Sequence, residues 1–123
     1  MKLIHTKSAP AAVGPYSQAM VSGGMVYTAG QVALDPETGA IVGTDVTTQA
    51  HQVMKNLAAV LEAAGSGFDK AVKTTCFLAD MDDFAAFNAV YGEYFTGKPA
   101  RSCVAVKALP KGALCEVEVI AEV

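Results

Sequence analysis

Arginine is almost missing from this chain: eight of its nine basic side chains are lysines, and the single guanidinium is Arg101, inside "KPARSC". Charge of either sign is scarce, at 17% of residues, and the net balance is −3. No basic block or Lys/Arg stripe exists to neutralise a phosphate backbone, so nucleic acid is not an expected partner. Only three cysteines occur, Cys76, Cys103 and Cys115, with no CxxC spacing, and the two histidines, His5 and His51, lie far from them in sequence. That pattern argues against a metal site, zinc above all. Free thiols inside apolar runs fit a reducing compartment, the cytoplasm, better than a disulfide framework. No apolar run reaches the roughly 18 residues of a membrane span, and "MKLIHTKSAP" has no secretory apolar core, so a soluble, unexported protein is expected. GxSxG, HExxH, P-loop and GxGxxG are absent as well, which removes the chemistries those motifs serve.

Apolar bulk is what the chain does have. Hydrophobic residues make up 52% of 123 positions, enough for one core and one domain spanning 1–123. Short β-type runs at Gln18–Val21 and Met25–Thr28 flank "SGG", a hairpin signal. "DPETG" marks a second turn, and a third strand is expected to complete the first forty or so residues. From Thr47 to Ala64 the apolar residues Ala50, Val53, Leu57, Val60, Leu61 and Ala64 take a helical period. Asp45 or Thr47 is placed to cap this helix and Gly65 to stop it. "KAVKTTCFL" then alternates like a strand. A second helix opens after Asp80 or Asp82 and ends near Phe95, with an aromatic stripe of Phe84, Phe87, Tyr91, Tyr94 and Phe95. "SCVAVKAL" and "CEVEVIAEV" supply the last two strands. The order β-β-β-α-β-α-β-β predicts an α/β domain, a six-stranded mixed sheet with two helices on one face. Its other face is too apolar to be left wet, which argues for burial against another subunit.

Three polar features break the local pattern. Arg101 stands behind a proline at the start of an apolar run. A salt bridge or an edge-strand charge would explain it, and so would a carboxylate clamp, because guanidinium offers a flat fork for two parallel hydrogen bonds. Asn88 interrupts the aromatic stripe, either to bond backbone or to aim an amide at a ligand or across an interface. Glu116, Glu118 and Glu122 share one face of the last strand, a wet face unless one carboxylate is partly buried and serves as a base. Were the last two strands a hairpin with Lys107 opposite Cys115, Arg101 would face Ala121, roughly 16 Å from Glu116 at ~3.3 Å per residue. The two residues would then meet around one ligand only through a bend or a cleft shared by subunits. Cys103 as a nucleophile lacks a histidine near it in sequence.

Taken together, "APAAVGPYSQA", "YTAGQVALDPETGAIV", "KTTCFLADMDDFAAFNAVYGEYF" and "PARSCVAV…LPKGALCEVEVIA" resemble the RidA (YjgF) family, in order, from about Ile4 to the C-terminus. The resemblance implies a chorismate-mutase-like fold and a homotrimer with a cleft between each pair of subunits. It also implies hydrolysis of reactive 2-imino acids, 2-iminobutanoate and 2-iminopropanoate, to 2-keto acids and ammonia, with no cofactor. Carried across, it gives Arg101 the substrate carboxylate, the Cys103 backbone N–H a second donor, and Glu116 the activation of water. Tyr16, Gly30 and Asn88 complete the pocket. The chain departs from the family in Ala29, where members often carry Ser, and in the short connection Thr96–Lys98. Two other readings stand beside the enzyme: a non-catalytic trimer that binds small carboxylates, and a holdase. A ribonuclease is disfavoured by the net charge of −3 and by the lack of a histidine pair.

Overall fold

In a computed structural model describing residues 1–123, the helix-period and strand-period stretches fold as their patterns require. The strands are β1 (Lys2–Ile4), β2 (Ala19–Ser22), β3 (Met25–Thr28), β4 (Ala71–Leu78), β5 (Ala100–Ala105) and β6 (Cys115–Glu122). The helices are α1 (Val46–Ala63) and α2 (Phe84–Tyr94). One mixed sheet runs in the order β1-β2-β3-β6-β4-β5, parallel only between β4 and β5. Gly23 and Gly24, at φ of 60° and 77°, make the tight turn that pairs Ser22 with Met25. Both turn positions lie in the left-handed region, which a Cβ disfavours.

The Asp45 carboxylate caps α1 by accepting from the Thr48 N–H at 2.8 Å. One face of α1 buries Val53, Met54, Leu57, Val60 and Leu61, each worth about 1.5–3 kcal/mol in burial. α2 follows a short 3₁₀ turn, Met81–Asp83, itself capped by Asp80. Phe87, Tyr91 and Phe95 carry its aromatic stripe into the same core, where Tyr91 stacks on Phe95 at 4.5 Å. Both helices lie on one side of the sheet, against Cys76, Leu78, Cys115, Val117, Val119 and Ala121. The opposite side keeps Leu3, Tyr27 and Val104 exposed.

Two expectations need correction. The third strand of the N-terminal part is Lys2–Ile4, ahead of the hairpin, while the stretch around "DPETG" closes only the single bridge Leu34–Ile41. Asp35 consumes the local donors there, accepting the N–H groups of Glu37 and Thr38. Nor are the last two strands a hairpin. β4 lies between β5 and β6, with Arg101 beside Thr74 and Glu116 beside Phe77, so Arg101 does not face Ala121. The β4–α2–β5 segment is a crossover unit, which returns the chain parallel to β4 and places β5 at the sheet edge.

Candidate functional site

Alternation along β6 sends Cys115, Val117, Val119 and Ala121 into the core and leaves Glu116, Glu118 and Ile120 half-buried on the other face. What separates Glu116 from Glu118 is a neighbour distant in sequence. Gln31 and Val117 exchange both backbone hydrogen bonds, at 2.9 and 3.1 Å, and so lay the segment from Gly30 onward against β6. Gly30 then sits so close to Glu116 that an added Cβ would meet Cδ at 2.8 Å and Cγ at 3.0 Å. Beside them is a cavity of about 330 Å³, lined among others by Tyr16, Gly30, Val32, Leu34, Lys111 and Glu116. Burial raises the Glu116 carboxyl above its ordinary value, and the Glu118 carboxylate adds to the rise. Desolvation and a like charge both disfavour the ionised form, which leaves a stronger base once it is ionised.

Arg101 belongs to a second cluster. It points to the helix side of β5, where its Nη1 donates to the Asn88 Oδ1 at 2.6 Å. Its guanidinium lies 4.7 Å from the Tyr91 ring centre and 5.6 Å from that of Phe84. Phe84, Asn88 and Tyr91 stand at i, i+4 and i+7 of one helix face, so α2 presents a socket built for a planar cation. Tyr91 is fixed from behind by Thr74, hydroxyl to hydroxyl at 2.7 Å. Cys103 lies two residues on, half-buried, its thiol raised by burial against a smaller opposing effect of Arg101. Its backbone has a different use. The Val106 N–H donates to the Leu78 carbonyl at 2.9 Å, and parallel pairing engages every second residue of β5. Ser102 and Val104 therefore share that direction, while the Cys103 N–H points off the open edge of the sheet.

The structure thus joins Tyr16, Gly30 and Glu116, and separately Arg101, Asn88 and Cys103. Within one chain it keeps the two groups apart. Two strand spacings and three residues of register separate Arg101 from Glu116, roughly 14 Å between backbones, with their side chains on opposite faces. Sequence reasoning passed over Phe84 and Tyr91 as a cradle for Arg101, treating them as core, and passed over Val32, Leu34 and Lys111 as cavity lining. The helical spacing around Asn88 was the available signal for the first. Nothing local signals the second. Ala29 donates its N–H to the Gln18 carbonyl at 2.9 Å, and the Thr96–Lys98 connection closes tightly, with Lys98 at φ 53°. No three His, Cys, Asp or Glu side chains converge as metal ligands, and no helix is long and apolar enough to cross a membrane.

Comparison with known proteins adds the following. The family model described as Endoribonuclease L-PSP matches residues 6–123. A protein of Synechocystis named RutC family protein slr0709 is 56% identical over 124 residues, covering 98% of this chain and 95% of its own. The 2-iminobutanoate/2-iminopropanoate deaminase of Salmonella typhimurium is 50% identical over 124 residues, covering 98% and 96%. Among solved structures, that of E. coli TdcF with bound serine superposes with a TM-score of 0.94 at 42% identity, over 100% of this chain and 99% of that one.

Proposed function

The chain belongs to the Endoribonuclease L-PSP family, the RidA (YjgF) family of its sequence motifs, and from that premise we propose that it hydrolyses 2-imino acids to 2-keto acids and ammonia. The observation that carries this reading is Glu116: a half-buried carboxylate of raised basicity in a largely apolar cavity, where a pure binder of small carboxylates would gain nothing from a negative charge. The bound serine of TdcF is a small molecule with a carboxylate, which fits a handle for Arg101.

Two parallel N–H groups of Arg101 hold the substrate carboxylate, Asn88 bracing the guanidinium, and the Cys103 N–H supplies a further donor. Glu116 takes a proton from water as the water oxygen bonds to the carbon of the protonated imine, whose C=N electron pair moves to nitrogen, giving a neutral carbinolamine. The protonated Glu116 returns that proton to nitrogen. The C–N bond then breaks, ammonia leaves, and loss of the hydroxyl proton forms the keto group. Positioning and one general base suffice, since such imines already hydrolyse in water.

Because Arg101 and Glu116 lie on opposite faces of one chain, the working cleft forms between copies, Arg101 from one and Glu116 from a second, in a homotrimer. Burial of the face that carries Leu3, Tyr27 and Val104 favours that association. The test generates 2-iminobutanoate in situ and follows its loss with and without protein. Glu116→Gln should retain ligand binding and lose about 100- to 10,000-fold in turnover. Imine loss at the uncatalysed rate, with keto acid still bound, would leave a binder instead.

A further inference from the structure

Helix α1 carries two amides where its core face should be apolar: Gln49 and Asn56 are 3% and 1% exposed, among Val53, Leu57 and Val60. A buried amide is costly unless its bonds are made, so what these two hold matters. The Asn56 Nδ2 donates to the carbonyls of Val32 at 3.2 Å and Leu34 at 3.0 Å, and its Oδ1 accepts from the Gln52 Nε2 at 3.0 Å. Gln49 joins the Gly43 carbonyl to the Leu114 N–H, two residues before Glu116. Val32 and Leu34 line the Glu116 cavity, and their segment meets β6 through the Gln31–Val117 pair. The strip that presses Gly30 against Glu116 is therefore held on two sides, by the backbone of β6 and by amides of α1, chiefly Asn56, with Gln52 adding a longer bond to the Leu34 carbonyl at 3.5 Å.

We infer that Asn56, which touches neither Glu116 nor the cavity's contents, is a positioning residue for the Glu116 carboxylate, acting through the Gly30–Leu34 strip. The catalytic part of its test rests on the hydrolase reading; the titration part does not. With the strip loosened, water reaches the carboxylate and Gly30 no longer fixes its rotamer. The ionisable groups that face Glu116 are Glu118 on its own strand, Tyr16 from the N-terminal segment and Lys111 from the turn before β6, while β4 presents Phe77.

The experiment compares Asn56→Ala with Gln52→Ala, a milder change at a half-buried site, and with Leu61→Ala, a core truncation at the far end of α1. Each is assayed for thermal melting, for kcat and KM on 2-iminobutanoate, and for titration of Glu116. The titration is followed by carbon NMR of labelled glutamate, its resonance identified by its loss in Glu116→Gln. Asn56→Ala should lower the Glu116 titration midpoint and cut kcat about ten- to hundredfold with KM within about twofold. Gln52→Ala should move both in the same direction by less. Leu61→Ala should lower the melting temperature and leave kcat and the titration alone. A titration midpoint unmoved in Asn56→Ala overturns the inference, whatever happens to stability. Should Asn56→Ala not fold, an unmoved midpoint in Gln52→Ala overturns it equally. Should the wild type show no imine turnover, the hydrolase reading fails while the titration still decides this one.

Discussion

Substituting alanine for Gly30 tests the candidate site with one methyl group. Gly30 has no positive φ to lose, so its backbone accepts a side chain without strain; only the space is occupied. The new Cβ would lie 2.8 Å from Glu116 Cδ and 3.0 Å from Cγ, and would overlap Oε2 outright. Ordinary carbon–carbon contact is about 3.5–4.0 Å, so the carboxyl carbon must withdraw by roughly 0.7 Å or more. The strip cannot yield instead without breaking the Gln31–Val117 pair or the Asn56 bonds. Glu116 thus rotates away from the cavity. A base displaced by that much loses its line to the attacking water, and misplacement of about 1 Å costs on the order of 100-fold in rate. We expect kcat/KM on 2-iminobutanoate to fall about 10- to 100-fold, roughly 1.4–2.7 kcal/mol of transition-state stabilisation. Most of the fall should be in kcat, because the carboxylate handle is held elsewhere. Folding should change little, since Gly→Ala at a compatible backbone position gains about 0.4–1 kcal/mol against the cost of moving one half-buried side chain. The assay is steady-state kinetics beside thermal melting of the same preparation. A folded Gly30→Ala protein within threefold of wild-type kcat/KM would refute the idea that the Gly30 contact sets the position of Glu116.

Three further outcomes are expected. Arg101→Lys should lose about 2–4 kcal/mol of transition-state binding, roughly 30- to 1,000-fold in kcat/KM, through loss of a charge-assisted fork and of the stacking on Tyr91 and Phe84; near-wild-type kinetics would reduce Arg101 to an interchangeable charge. Arg101→Ala and Glu116→Gln, each inactive alone, should regain activity when unfolded and reassembled together at equal amounts, to about a quarter of the sites in a randomly mixed cyclic trimer; no recovery from a verified mixture would place both residues in one chain's site. Because burial, and after it the Glu118 charge, raises the Glu116 carboxyl and the base works ionised, activity should fail as pH drops through that raised value. Glu118→Gln should therefore carry the acid limb of kcat/KM to lower pH, and a limb that stays or rises would contradict the assignment.

How much of this was legible in the sequence depends on how far each feature reaches. α1 and α2 were legible because period and punctuation agree within one turn: Asp45 caps, Gly65 stops, and the aromatic stripe of α2 repeats on its own. β1 was not, because three residues carry no alternation worth reading, and its pairing with β2 is a tertiary fact. The neighbour of β5 was misread because a hairpin is the shorter connection, although two strands joined through a helix usually run parallel. At the site, Arg101 and Asn88 were legible as oddities, one guanidinium and one amide where the pattern asks for neither. Glu116 and Glu118 were not separable by residue type or spacing, since they share a face. Only Gly30, 86 positions away by its number, chooses between them. Gln49 and Asn56 were invisible for a related reason: a polar residue on a helix reads as surface until the strip it holds is known. The separation of Arg101 from Glu116 follows the same logic. Sequence spacing measures distance along a strand, and it says nothing of which faces two strands present once a third lies between them. Here the intervening strand is β4, whose pleat carries Thr74 to the helix side with Arg101 and Phe77 to the open side with Glu116. On the proposed hydrolase reading, a single chain so built holds half of a substrate on each face and becomes an enzyme only where the open face of one copy meets the β5 edge of another.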